Sequence, residues 1–228
     1  MNTRLSALLI SATFLLTACA SAPQLPLPVA PQAFAAPANN YGVVLAKMPV
    51  VDTQFPGASC LLCLAAASVA NSDLTKYTKT LPADDLAGLN KQVAEVLKKR
   101  GAKVTMIDQL DLSALPDSGK GVNFAYKDFS SLKAKYNIDK LVVVNFRTVG
   151  IERTYAAYIP NGDPKATIVG ESYIVNLNDN SLEWFQRITA MKASDGKWDE
   201  PPKFPGLTNA YYQVIELAKD SVLTPLAQ

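Results

Sequence analysis

The sequence predicts an α/β layered domain in which helices pack on a mixed sheet containing an antiparallel meander. Three observations predict it. Residues 141–146 (LVVVNF) form an almost continuous apolar run, the pattern of a strand covered on both faces. An amphipathic helical stretch lies between two shorter strand-like runs, and three strand-like stretches follow one another across turn residues near the carboxyl end.

The elements follow in order. Residues 41–47 (YGVVLAK) read as a short buried strand ended by Met48-Pro49. Residues 59–71 are rich in alanine and leucine, which predicts a packed helix with Ser59 as N-cap. In the next helix Leu86, Leu89, Val93, Val96 and Leu97 share one face, Lys98, Lys99 and Arg100 suit its negative carboxyl end, and Gly101 stops it. A strand over 103–107 completes a β-α-β unit. Phe129, Leu132 and Tyr136 line one side of a shorter helix between Asp128 and Asn137, which leads into the 141–146 strand.

Stretches 147–159, 166–177 and 182–191 are separated by Pro160-Asn161-Gly162-Asp163-Pro164 and by Asn178-Asp179-Asn180, turn chemistry that predicts the meander. Trp184 is expected in its core, with Tyr173 and Val175 as partners. Ala210, Val214, Leu217, Ala218, Ser221 and Val222 mark a closing helix before Pro225.

At the other end of the chain, Arg4 precedes an apolar run over 5–16 that ends in Leu16-Thr17-Ala18-Cys19. A charged start, an apolar stretch too short to span a bilayer and small residues at its end are the marks of a secretory signal. The pattern resembles a bacterial lipoprotein signal peptide with its lipobox. That resemblance implies removal of residues 1–18, a diacylglycerol on Cys19, and further acylation (palmitate) of the new amino terminus; an ordinary cleaved signal with an incidental cysteine is the alternative. Each buried methylene contributes about 0.8 kcal/mol, so two or three chains make a durable membrane anchor. Ala20 and Ser21 lack the aspartate that signals inner-membrane retention, so the resemblance implies the outer membrane, facing the periplasm.

Residues 21–40 carry prolines at 23, 26, 28, 31 and 37 and no charge, which predicts an extended, semi-rigid tether. It would act as a spacer or as a proline-rich ligand. The expected organisation is a signal peptide (1–18), a lipidated cysteine and tether (19–40) and a single α/β domain (41–228), long enough for one real core.

Composition excludes several functions. Lys plus Arg number 22 against 20 Asp plus Glu, and no basic run exceeds Lys98-Lys99-Arg100, so the basic face that nucleic acid needs is missing. Histidine is absent, which removes Ser-His-Asp and Cys-His nucleophile systems and the commonest zinc sites. Of the carboxylate pairs, Asp84-Asp85 suits a helix start, while Asp108 with Asp111 and Asp199-Glu200 fall in loops as solvated charge. No catalytic residue, metal or cofactor is expected.

The strand-helix-Gly-strand of GVVLAK and LNKQVAEVLKKRGAKVTMID, with the tryptophan-bearing hairpin IVNLNDNSLEWF, resembles the TolB amino-terminal-domain-like (LpoB- and CsgG-like) envelope lipoproteins. The resemblance covers roughly residues 41–226. It implies a non-catalytic domain that binds another envelope protein as adaptor or activator. Residues 56–80 depart from the family pattern as an extra segment, and they contain Cys60-Leu-Leu-Cys63. In an oxidising periplasm a Cys60–Cys63 disulfide is the leading expectation. A reduced buried pair, a thioredoxin-like redox centre and a metal site remain as alternatives, the redox centre making the protein a tethered thiol-disulfide oxidoreductase. Carriage of a lipid or small hydrophobe is a third functional class.

Residues 195–206 (DGKWDEPPKFPG) cannot be regular structure. Either Trp198 and Phe204 fold back to cover a core opening, or Trp198 is held outward as an aromatic anchor for a partner, rimmed by Asp199, Glu200 and Lys203.

Overall fold

A computed structural model describes residues 22–34 and 40–228. The signal peptide and Cys19 lie outside the described residues. In chain order the elements are β1 (Asn40–Ala46), β2 (Asp52–Gln54), α1 (Leu61–Ala70), α2 (Ser72–Thr78), α3 (Asp84–Ala87), α4 (Leu89–Lys99), β3 (Lys103–Leu110), α5 (Ser130–Tyr136), β4 (Lys140–Glu152), β5 (Tyr155–Ala156), β6 (Ile159–Pro160), β7 (Lys165–Asn176), β8 (Leu182–Ala193) and α6 (Pro205–Ala227). The main sheet runs β3-β1-β4-β7-β8. β3, β1 and β4 are parallel, as the β-α-β reading requires, and β4, β7 and β8 form the antiparallel meander. The fold is therefore mixed α/β.

Alternation along the strands divides the core in two. Tyr41, Val43 and Leu45 of β1 and Val142, Val144 and Phe146 of β4 face α4 and α6, where Leu89, Val93, Leu97, Tyr211 and Val214 are buried. Val44, Leu141 and Val143 face the other way, onto Phe129 and Leu132 at α5.

Residues 141–146 and 147–152, expected as separate strands, are one. A bulge between Phe146 and Thr148 joins them, and the extra residue shifts the alternation so that Val149 and Ile151 stay on the α6 face. Sequence periodicity breaks at such a point although the strand does not. The remainder of the expected stretch turns back as the β5–β6 hairpin.

Other expectations are corrected in detail. The helix expected from Leu86 is split: Asp84 and Asp85 occupy the first turn of α3, Gly88 closes it, and α4 starts anew at Leu89. Trp184 is buried opposite Ile174, with which it shares the α6-side core; Tyr173 and Val175 lie on the opposite face and pair with Phe185 and Leu182. The bulge at Glu183 creates this offset. α6 runs through Pro225 to Ala227, because a proline in the final turn forfeits only one helical hydrogen bond.

Residues 22–34, expected as a spacer, lie against the domain. Leu27 exchanges backbone hydrogen bonds with Phe185 of β8 (2.8 and 3.2 Å), and the Ala30 amide donates to the Glu183 carbonyl. Tyr41 Oη donates to the Ala33 carbonyl. Arg187 Nη2 donates to the Gln24 carbonyl, and the Arg100 guanidinium stacks 3.9 Å from the Phe34 ring. Prolines lack donors, but the residues between them supply the few that an edge strand can use.

Candidate functional site

Residues 56–80 build an exposed apolar surface around the Cys60-Leu-Leu-Cys63 motif. Cys60 caps α1 in place of Ser59: its Sγ accepts from the Cys63 amide at 2.9 Å, and the two cysteines are joined as a disulfide. Cys63 is buried and Cys60 is exposed. From there α1 runs LLCLAAASVA without one charged side chain.

Only Cys63 and Ala67 of α1 are buried, and Asn71 continues their stripe one turn on. That stripe rests on Ala58, Phe55 and Tyr155. Asn71 Nδ2 donates to Ala67 O (2.7 Å) and Tyr155 Oη (2.6 Å), and its Oδ1 accepts from Arg153 Nη1 (2.8 Å). Gly57, at φ +88°, lets the chain pass so close to Tyr155 that a Cβ would sit 1.8 Å from its carbonyl oxygen.

Everything else on α1 faces outward. Leu61 is 88%, Leu62 72% and Val69 76% exposed, and Leu64, Ala65 and Ala66 are exposed with them. Tyr158 and Ile159 of the neighbouring hairpin are also exposed, with Tyr158 Oη 3.6 Å from Cys60 Sγ. The composition that predicted a packed helix thus forms an uncovered one, fastened by a stripe a single residue wide.

The structure joins this helix to the other sequence candidate. The Arg153 guanidinium, held by Asn71, lies 4.8 Å from the centre of the Trp198 ring. Trp198 stacks on Phe204 (6.2 Å, 2° between planes), and Phe204 touches Tyr77 of α2 at 5.4 Å. Both aromatics are half-buried and pack against the α6-side core. Asp199, Glu200 and Lys203 are exposed in the same loop. Asp108 is exposed on β3, and Asp111 caps a short 3-10 turn, where hydrogen bonds from the Ser113 hydroxyl and then the Ser113 amide hold its carboxyl below the usual range.

Among the described residues no three Cys, Asp or Glu side chains are grouped to hold a metal ion. No helix there is long and apolar enough to cross a membrane.

No family model matches the chain, and no curated protein matches it. Solved structures align with it distantly. Protein XCC0632 from Xanthomonas campestris, of the family DUF330, shares 14% identity over 90% of this chain and 92% of its own, with a TM-score of 0.39. A PelC dodecamer structure from Paraburkholderia phytofirmans gives 11%, 90%, 96% and 0.38 in the same order. Lipoprotein GNA1162 from Neisseria meningitidis gives 14%, 79%, 96% and 0.29. At these values the likenesses carry no argument about function.

Proposed function

We propose that this chain is a lipid-anchored, non-catalytic, protein-binding domain of the bacterial outer membrane, facing the periplasm, that serves as adaptor or activator in cell-envelope assembly. The observation that carries the binding role is α1. A helix apolar on every side is stable in place only when covered, yet seven of its ten residues have their apolar surface in solvent on three sides. Lipid is a poor cover for it, because interfacial helices direct cations toward headgroups and α1 has none. Alanines 65 and 66, between Leu64 and Val69, let another helix approach closely, so a partner's apolar helix fits best.

Anchoring rests on the lipobox at Cys19. Placement in the TolB amino-terminal-domain-like group belongs to the same proposal, supported by the β1-α4-β3 unit and the β7–β8 hairpin that carries Trp184. The test is a photo-crosslinking amino acid at Leu62 in intact cells. One discrete protein adduct, lost when Val69→Lys is added, supports the reading; absence of any adduct overturns it. Cys19→Ser should leave an uncleaved or soluble species, and a mature acylated variant would overturn the anchor.

One observation favours a second reading, a tethered thiol-disulfide oxidoreductase. Cys60 is exposed at a helix amino terminus with the Cys63 amide aimed at its sulfur, where a thiolate is stabilised. Reduction of insulin with dithiothreitol by the purified domain, abolished by Cys60→Ser, would establish it.

A further inference from the structure

The docked amino-terminal segment determines how far the domain can stand from its anchor. Resting on the reading of Cys19 as the lipidated residue, we propose that the domain lies directly on the lipid bilayer, seated on the surface formed by Leu25, Val122, Phe124 and Tyr126.

The argument is one of length. Had the whole segment from Cys19 to Asn40 been free, twenty-one steps of polyproline-like chain at about 3.1 Å each would allow a reach of roughly 65 Å. Its residues from Gln24 to Ala33 are held against the domain. Gln24 Oε1 accepts from the Asn123 amide at 2.6 Å, Gln24 Nε2 donates to Asn123 Oδ1 at 3.3 Å, and the Gln24 carbonyl is held by Arg187. From Cys19 to Gln24 there are five steps, at most about 3.6 Å each, so Gln24 stays within about 18 Å of the acylated residue. Nothing longer than that separates this corner of the domain from the headgroups.

The surface at that corner suits a bilayer. Gln24 grips the loop whose next residues on either side are Val122 and Phe124. Leu25 is 66% and Tyr126 72% exposed, with Val122 and Phe124 partly so. Lys120 Nζ lies 5.0 Å from the Phe124 ring centre, and Lys127 Nζ 5.4 Å from that of Tyr126. Aromatic rings beside lysines are the composition of a membrane interface, where rings sit at headgroup depth and ammonium groups extend into water. Charge is nearly balanced, since Lys127 pairs with Asp117 at 2.6 Å and Asp128 and Asp179 lie close to Lys120. Apolar insertion and the short leash therefore hold the contact, and anionic lipid is not required.

The experiment reconstitutes the full acylated protein in vesicles of phosphatidylethanolamine and phosphatidylglycerol containing headgroup spin-labelled phosphatidylcholine. An environment-sensitive fluorescent amino acid is placed at Val122, or at Glu95 on the exposed side of α4 as the remote control. Quenching severalfold stronger at 122 than at 95 is expected, unchanged when phosphatidylglycerol is omitted. Protein that floats with the vesicles while both positions remain equally unquenched overturns the proposal and leaves the anchor intact. Failure to float overturns the anchor and this proposal with it. Energy transfer between 122 positions on separate copies, without quenching by lipid, would assign the surface to self-association and also overturn it.

Discussion

Lys140 Nζ lies 2.8 Å from Glu183 Oε2 with both side chains less than a tenth exposed, and the same ammonium donates to the carbonyls of Gln32 (2.8 Å) and Ala33 (2.9 Å). Asn176 Nδ2 satisfies the other carboxylate oxygen at 3.1 Å. The pair thus ties the start of β4 to β8 and to the docked amino-terminal segment. Removing one partner strands a buried charge. Glu183→Ala should cost about 3–5 kcal/mol in denaturant unfolding, while Lys140→Met combined with Glu183→Leu should recover much of that loss.

Trp184 is the largest side chain among those fully buried. Trp184→Ala should destabilise by about 3–5 kcal/mol, and Ile174→Ala, its cross-strand neighbour, by about 2–5. Thermal unfolding checks both. An unchanged melting temperature with lost partner binding would move Trp184 from core to interface.

Trp198 and Phe204 stack on each other between Arg153 and Tyr77, so each should contribute to stability. Trp198→Ala and Phe204→Ala are each expected to lower it by about 1–3 kcal/mol, with in-cell crosslinks from Leu62 retained. Unchanged stability with lost crosslinks would instead make the loop part of the partner surface.

On α1 the two sides should behave oppositely. Leu62→Lys and Val69→Lys, both outward, should leave stability within about 0.5 kcal/mol. Ala67→Leu, in the buried stripe, should cost about 1–3 kcal/mol through overpacking. Alkylation of native protein should label neither Cys60 nor Cys63 before reduction.

Alkaline pH should unfold the domain earlier than the chain's acids and bases would otherwise require. Burial raises the phenol pKa of Tyr41, further raised by the Glu183 charge, and burial likewise raises those of Tyr173 and Tyr211. A folded-state pKa above the unfolded value of about 10 means that the unfolded chain releases protons first. The stability these phenols contribute is complete below pH 10 and declines as pH rises beyond it. The tyrosinate absorbance of these three phenols should therefore appear together with loss of structure, and their ionisation in a still-folded protein would contradict the burial.

The fold class is legible in the residues because burial writes itself as local period. The apolar run of β4 and the single apolar face of α4 each follow from geometry within one element. Turn residues such as Asn178-Asp179-Asn180 likewise act within a few positions: Asn180 adopts φ +66°, a conformation asparagine tolerates better than most.

Relations between distant elements decided the rest. Whether an apolar helix is covered depends on what lies opposite, and the alanine-leucine composition of α1 reads the same whether it is packed or bare. The bulges at Phe146–Thr148 and at Glu183 are set by pairing with β7, so the continuity of β4 and the face occupied by Trp184 could not be counted from the chain. Docking of residues 22–34 depends on an unpaired edge of β8 and on the buried charges of Lys140 and Glu183, 43 positions apart. Proline-rich composition describes a stiff, extended path equally well in solvent and against a sheet; only the tertiary structure supplies the edge that residues 22–34 dock on.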